Sequence, residues 1–243
     1  MKYMYTKTFF LPYSEVGLEG KLSIYEASCL TQDMSTEFFE SLQLDNFRIC
    51  EKYNAAWVIT KSKYVFHKFP QWHDKIIAKS YIASKSELRI DTCSDFYDAN
   101  NELLFCCKQE FCIIDRTQRS LKKLSNINFP EDICLYETSL QSPYARIKCT
   151  FDESEKVCSH LVHSTDIDFT NHVNNTKYIY YIMSTFSSEF LKSNFIKEFD
   201  IAYLGESKEG NLLEVYEKDE LTEKIFCIKN DGKEIIKGKI CFA

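Results

Sequence analysis

The strongest constraint on how this 243-residue chain can fold is that one order of local signals occurs twice: a helical stretch, then a run of strand-like segments. In the second half Ile179, Ile182, Met183, Phe186 and Phe190 recur at three- and four-residue steps, which places them on one face of a helix. Strand-like segments follow at 199–204, 212–217, 224–228 and 234–242. The last two are joined through Asn230-Asp231-Gly232, where glycine accepts the positive φ of a tight hairpin. In the first half a helical stretch over 24–42 precedes 57–66, 75–82, 88–96 and 103–114. Leu88, Ile90 and Phe96 share one strand face while Arg89, Asp91 and Asp95 share the other, so that strand is expected to be half buried. Tyr97-Asp98-Ala99-Asn100-Asn101 supplies the turn after it.

Two short anchors support duplication. Ser35-Thr36-Glu37-Phe38-Phe39 resembles Ser187-Ser188-Glu189-Phe190-Leu191, and Glu102-Leu103-Leu104 resembles Glu234-Ile235-Ile236. They come in the same order, with about 20 more residues in the first copy. The chain thus reads as a first unit over 1–125, a linker over 126–148 and a second unit over 149–243. The boundary falls within a polar stretch from Arg116 to Ser142 that carries Arg116, Arg119, Lys122 and Lys123 and shows little periodicity.

Thirty basic residues against 36 acidic ones give a net charge of −6, which argues against a nucleic-acid binder, since such affinity comes mainly from Lys and Arg neutralising phosphates. No apolar run is long enough to span a membrane, and residues 1–13 lack the charged-then-apolar order of a signal peptide. A cytoplasmic protein is therefore expected. The 11 cysteines are an odd number with no export signal, and read as reduced core thiols. No Cys-x-x-Cys pair occurs and the five histidines are not set at zinc spacings, so no metal is expected.

The densest polar cluster is Thr165-Asp166-Ile167-Asp168-Phe169-Thr170-Asn171-His172-Val173-Asn174-Asn175, at the start of the second helix. Capping a first turn needs one or two such residues. Two acids, a histidine and three asparagines exceed that need, and exposed helix amides favour developing negative charge, so the cluster is a candidate oxyanion site.

From Asp166 to Ile179 this run resembles the signature of the acyl-ACP thioesterases, the plant and bacterial family that ends fatty-acid elongation. Tyr13-Ser14-Glu15-Val16-Gly17 resembles the family's opening strand and turn, and Trp57-Val58-Ile59-Thr60 and Phe69-Pro70-Gln71-Trp72-His73-Asp74 resemble its first-repeat strand and following loop. The resemblance implies an α+β tandem hotdog, in which each repeat wraps a long helix in an antiparallel sheet. It implies hydrolysis of a thioester carried on the phosphopantetheine arm of acyl carrier protein, without a cofactor. A homodimer is among the assemblies such a chain could form. Acyl-CoA hydrolysis and acyl binding without hydrolysis are the alternatives.

By that resemblance Asp168 and His172 match the first and last positions of the family's Asp-x-Asn-x-His pattern, and Glu206 its later glutamate, 34 residues beyond the histidine. Thr170 stands where many members have asparagine, and a hydroxyl cannot mimic both donors and the acceptor of a carboxamide. Asn171 is one step out of register. Ser207 stands where plant members often carry cysteine. Either Glu206 or His172 could remove the proton of an attacking water, with His172 and helix amides polarising the thioester and Asp168 holding the donors. Direct attack by Asp168 is the rival chemistry. Asn171 and Asn174 are candidate substrate contacts. The first half has no counterpart of the motif, reading Leu18-Glu19-Gly20-Lys21-Leu22, and is expected to line an acyl tunnel through Cys29, Met34, Phe38 and Phe39. Arg116, Arg119, Lys122, Lys123 and Lys177 are candidates for a basic rim facing the carrier.

Overall fold

Strands from both halves join edge to edge. In the computed structural model, which describes residues 3–243, the first half contains β1 (Met4–Phe10), α1 (Ile24–Ser41), α2 (Asn46–Tyr53), β2 (Ala55–Phe66), β3 (Lys75–Lys85), β4 (Arg89–Tyr97), β5 (Leu103–Asp115) and the short β6 (Leu121–Lys122). The second contains β7 (Lys156–Leu161), α3 (Asn175–Met183), α4 (Ser188–Ser193), β8 (Ile196–Tyr203), β9 (Leu212–Asp219), β10 (Glu223–Asn230) and β11 (Lys233–Phe242). The sheet order is β1-β3-β4-β5-β2-β8-β11-β10-β9-β7, with β6 beside β5. Read inward from either edge, each half places its first, third, fourth, fifth and second main strands in that order. The halves are therefore two copies of one topology, a tandem hotdog, meeting where β2 pairs antiparallel with β8. No helix among the described residues is long and apolar enough to cross a membrane.

The copies also match in backbone detail. Gly17 N donates to Lys21 O in the first and Asp168 N to His172 O in the second; Leu22 N meets Pro70 O just as Val173 N meets Ser207 O. Val16–Leu22 and Ile167–Val173 are equivalent isolated bridges. Both sequence anchors lie one residue out of this register. The family-like opening segment at Tyr13 is a 3-10 turn, and the opening strand is β1.

Local sequence explains where the helices stop. Ser23 caps α1, accepting from Glu26 N at 3.4 Å. The second helix, expected to continue through Phe190, breaks after Met183. Ser184 and Thr185 hydroxyls donate back to Tyr181 O and Ile182 O, and Ser187 caps the new helix by accepting from Phe190 N. Such side chains offer the backbone an alternative to continuing a helix. The Asp231-Gly232 hairpin forms as expected, with φ of 49° and 73°.

β4 departs from expectation. Asp95, read as lying on a solvent face, is buried, because residues 133–145 run over that face. Ser139 donates to Asp95, Tyr144 to Asp91, and Lys108 Nζ to the carbonyls of Leu140 and Ser142. Earlier in the same stretch Leu124, Ile127, Phe129 and Ile133 fill a core around Trp57.

At the β2–β8 seam Lys63 lies opposite Asp200. Its ammonium is 2.9 Å from Asp200 and 2.8 Å from Glu198, and Asp200 also accepts from Ala145 N at 2.8 Å. Burial opposes the charge on Lys63, but the two carboxylates outweigh it and raise the ammonium above its usual value. Removing one member of a buried, hydrogen-bonded pair strands the other charge. Lys63→Ala, which leaves buried Asp200 without a cation, should therefore lower unfolding free energy by about 3 kcal/mol, read as a lower denaturant midpoint at unchanged slope; a change below about 0.5 kcal/mol would show that the seam does not depend on this pair.

Candidate active site

The bridge between Ile167 and Val173 closes a tight loop over 168–172. Inside it Asp168 N donates to His172 O at 2.9 Å and Asn171 N to Asp168 O at 3.0 Å. Asn171 takes φ of 63°, which asparagine tolerates better than most side chains. Asp166 ties down the approach by accepting from His163 N at 3.0 Å. Burial opposes ionisation of Asp166, but that amide, the Tyr181 hydroxyl and Lys177 outweigh it and hold the carboxyl below the ordinary range. α3 begins three residues past His172. Asn174 caps it, with Oδ1 accepting from Thr176 N and Thr176 Oγ1, both at 3.0 Å, while its carbonyl accepts from Lys177 N. Two first-turn amides expected to serve an oxyanion are thus already engaged by Asn174.

Within the loop the side chains form a chain. Asp168 Oδ1 accepts from Thr170 N at 2.8 Å and from Thr170 Oγ1 at 2.6 Å. The Thr170 hydroxyl, its proton committed to Asp168, lies 3.2 Å from His172 Nδ1 and can accept from it. One hydroxyl thereby links the acid and the imidazole, donating to the one and placed to accept from the other. His172 Nε2 points the other way, 3.2 Å from Glu206 Oε2.

Glu206 lies three residues beyond β8. Leu204 N and Gly205 N both donate to Ile235 O, at 2.8 and 3.1 Å. A Cβ on Gly205 would stand 2.9 Å from Ile235 Cγ2, so glycine is what lets the backbone turn so closely against β11. Ser207 is buried and spends its hydroxyl on Tyr178 at 2.7 Å, while its carbonyl accepts from Val173 N. It thereby fastens the Glu206 segment to α3. Burial pushes the Tyr178 hydroxyl up to about 12.

These side chains border a cleft of about 560 Å³ between the repeats. The second repeat contributes Asp168, Thr170, His172, Asn174 and Glu206, and the first lines the opposite side with Phe39, Trp57, Ile59, Phe111 and Ile114. From α1 the face formed by Gln32, Ser35, Thr36 and Phe39 reaches the cleft. Met34 and Phe38 point instead into the buried core, and Cys29, its thiol pushed up by burial beside Tyr25 and Thr176, is likewise absent from the lining. The tunnel lining that the resemblance implied for Met34 and Phe38 is thus core packing. Asn171 also lies outside the lining, and its part is in the backbone of the loop. Phe47 and Phe169, both exposed, stack at 4.5 Å across the two repeats beside the cleft.

The expected basic rim is mostly neutralised. Lys122 pairs with Asp115, Lys123 with Glu87 and Lys177 with Asp166, whereas Arg116 and Arg119 line the cleft. Arg119 does something the sequence did not indicate: its guanidinium pairs with Glu206. The contact spans 87 positions along the chain, and no local pattern announces it.

The sequence pattern of the acyl-ACP thioesterase N-terminal domain matches residues 2–131, and that of the C-terminal domain residues 150–243. A chloroplastic palmitoyl-acyl carrier protein thioesterase of Gossypium hirsutum is 22% identical over 261 residues, covering 97% of this chain and 63% of that protein. A chloroplastic oleoyl-acyl carrier protein thioesterase of Arabidopsis thaliana is 20% identical, covering 87% and 62%. The chain thus spans less than two thirds of the length of these relatives. Among solved structures, an acyl-ACP thioesterase from Bacteroides thetaiotaomicron superposes with a TM-score of 0.87 at 19% identity over 99% of this chain and 98% of that one. The 12:0-ACP thioesterase of Umbellularia californica superposes with 0.83 at 16% identity, over 99% and 97%. With both domain patterns matched in order along one tandem fold, the chain belongs to the acyl-ACP thioesterase family.

Proposed function

We propose that this protein hydrolyses acyl-ACP thioesters to free fatty acid and carrier, with the acyl chain in the cleft between the repeats. The observation that carries the reading is the approach of His172 Nε2 to Glu206 Oε2 at 3.2 Å, on a cleft whose other side is apolar. A thioester at this junction meets a polar pair at its carbonyl and an aliphatic and aromatic surface for its chain. Eleven free thiols suit a reducing compartment such as the cytosol.

In the mechanism Glu206 takes a proton from water as the water oxygen attacks the carbonyl carbon. His172 acts as the imidazolium, with a proton on each ring nitrogen: Nδ1 donates to Thr170, which Asp168 holds in place, and Nε2 donates to the resulting oxyanion. Collapse of the tetrahedral intermediate breaks the C–S bond, and the proton held by Glu206 passes to the departing pantetheine sulfur. Asp168 is engaged by two donors from Thr170, an arrangement suited to orienting its neighbours rather than attacking carbon. If Asp168 attacked, single turnover in heavy-oxygen water would place the label in its carboxylate; the water route predicts label only in the released fatty acid.

The direct test is release of fatty acid from palmitoyl-ACP, followed by mass spectrometry, with palmitoyl-CoA run in parallel. Glu206→Gln and His172→Ala should each lower kcat by about 10²–10⁴-fold with folding intact. Wild-type turnover retained in both variants would overturn the reading.

Thr170 provides a sharper test. Thr170→Val keeps the shape but removes the link between Asp168 and His172, and should lower kcat by about 10–100-fold, the usual cost of losing an orienting hydrogen bond. Thr170→Asn, which restores a donor and an acceptor, should stay within a few-fold of wild type. Equal loss in the two variants would contradict the relay.

A further inference from the structure

The geometry points to Arg119 as a positioning residue that the first repeat contributes to the reaction centre in the second. It sits on the hairpin between β5 and β6, and its guanidinium pairs with Glu206 Oε2, the oxygen that also faces His172. Two recesses meet at this point. The cleft between the repeats and a second hollow beside Ser207, Lys208 and Asn211 are both lined by Arg119, His172 and Glu206.

Two features show that Arg119 is not there for stability. The pair is half exposed on both sides, at 51% and 38%, and ion pairs so open to water contribute little to folding. The backbone of Arg119 is also left-handed, at φ of 55°, in a tight turn whose Arg119 N donates to Asp115 O at 2.9 Å. Glycine is the default residue for such a site, because a Cβ is disfavoured there. The turn is firmly built: Asp115 Oδ1 accepts from Thr117 N and Gln118 N, both at 2.8 Å, and Arg116 N donates to Asn54 O. An arginine held by a rigid hairpin in a conformation it does not favour, and extended to a carboxylate of the opposite repeat, fixes where that carboxylate points.

The consequence deepens the proposed hydrolysis and rests on it: Glu206 is aimed from both repeats, by His172 on its own side and by Arg119 across the seam.

Arg119→Gly is the informative variant, because it relieves the backbone while deleting the contact. It should fold with a thermal midpoint equal to or above wild type, while kcat on palmitoyl-ACP falls about 10–100-fold and KM stays within about twofold, as expected when a partner orients a reacting group. Arg119→Lys should recover at least part of the lost kcat. In nitrogen-15 spectra the His172 ring signals should shift in Arg119→Gly in the same direction as in Glu206→Gln. A kcat within twofold of wild type, or a loss confined to KM, would overturn the inference. Should the wild-type protein release no fatty acid, the hydrolase reading fails by itself, and unmoved His172 signals in Arg119→Gly would independently defeat the positional one.

Discussion

The pairing of β2 with β8 is the constraint on which the rest of the structure depends. Each repeat alone would leave its second strand as an open edge, and the antiparallel register that sets Lys63 opposite Asp200 closes both edges at once. That register also decides what faces what. The bulge at Thr60 shifts the alternation of β2, so odd-numbered Trp57 and Ile59 before it and even-numbered Tyr64 and Phe66 after it all pack inward, the first two also bordering the cleft. The aromatic wall of the first repeat and the polar loop of the second are brought together because the seam allows one alignment. The segment over 133–145 secures that alignment from outside, and Ala145 completes the shell of Asp200.

Much of the fold was legible in the sequence because periodicity reports which residues share a face. The strands β2 to β5 and β8 to β11 fell within a few residues of their expected bounds, and the Asp231-Gly232 turn has a local cause. What periodicity cannot report is which object covers a face. Met34 and Phe38 were rightly seen as apolar on α1, yet they meet the sheet, and the α1 residues at the cleft include the polar Gln32, Ser35 and Thr36. Asp95 looked solvated because nothing local marks the later segment that buries it. The short α2 went unseen because its eight residues carry too few turns for a pattern.

The same division holds in the site. Asp168, Thr170 and His172 occupy one tight loop, so their proximity follows from spacing. Glu206 was placed by resemblance, and its approach to His172 is a tertiary fact held by Gly205 against Ile235 and by Ser207 against Tyr178. Thr170 looked like a defect when compared with a carboxamide. In place, the hydroxyl meets two partners, donating to Asp168 and lying within reach of His172 Nδ1 as an acceptor.

Comparison of the two repeats shows what separates a scaffold from a site. The loops share a backbone frame, in which Gly20 and Asn171 occupy equivalent left-handed positions and Ser23 and Asn174 equivalent helix caps, but Glu19 is also left-handed where Thr170 is not. Where the second repeat has Asp168, Thr170 and His172, the first has Gly17, Glu19 and Lys21, with Glu19 and Lys21 paired to each other at 2.7 Å. The position equivalent to Glu206 is Phe69, which stacks on Phe66 at 4.9 Å and meets Phe195 of the other repeat at 5.3 Å. Rings therefore occupy the space that the second repeat keeps open around a carboxylate. The two repeats thus carry matching loop frames: Phe69 beside the first adds to the core, and Glu206 beside the second faces the cleft at the seam that both repeats form.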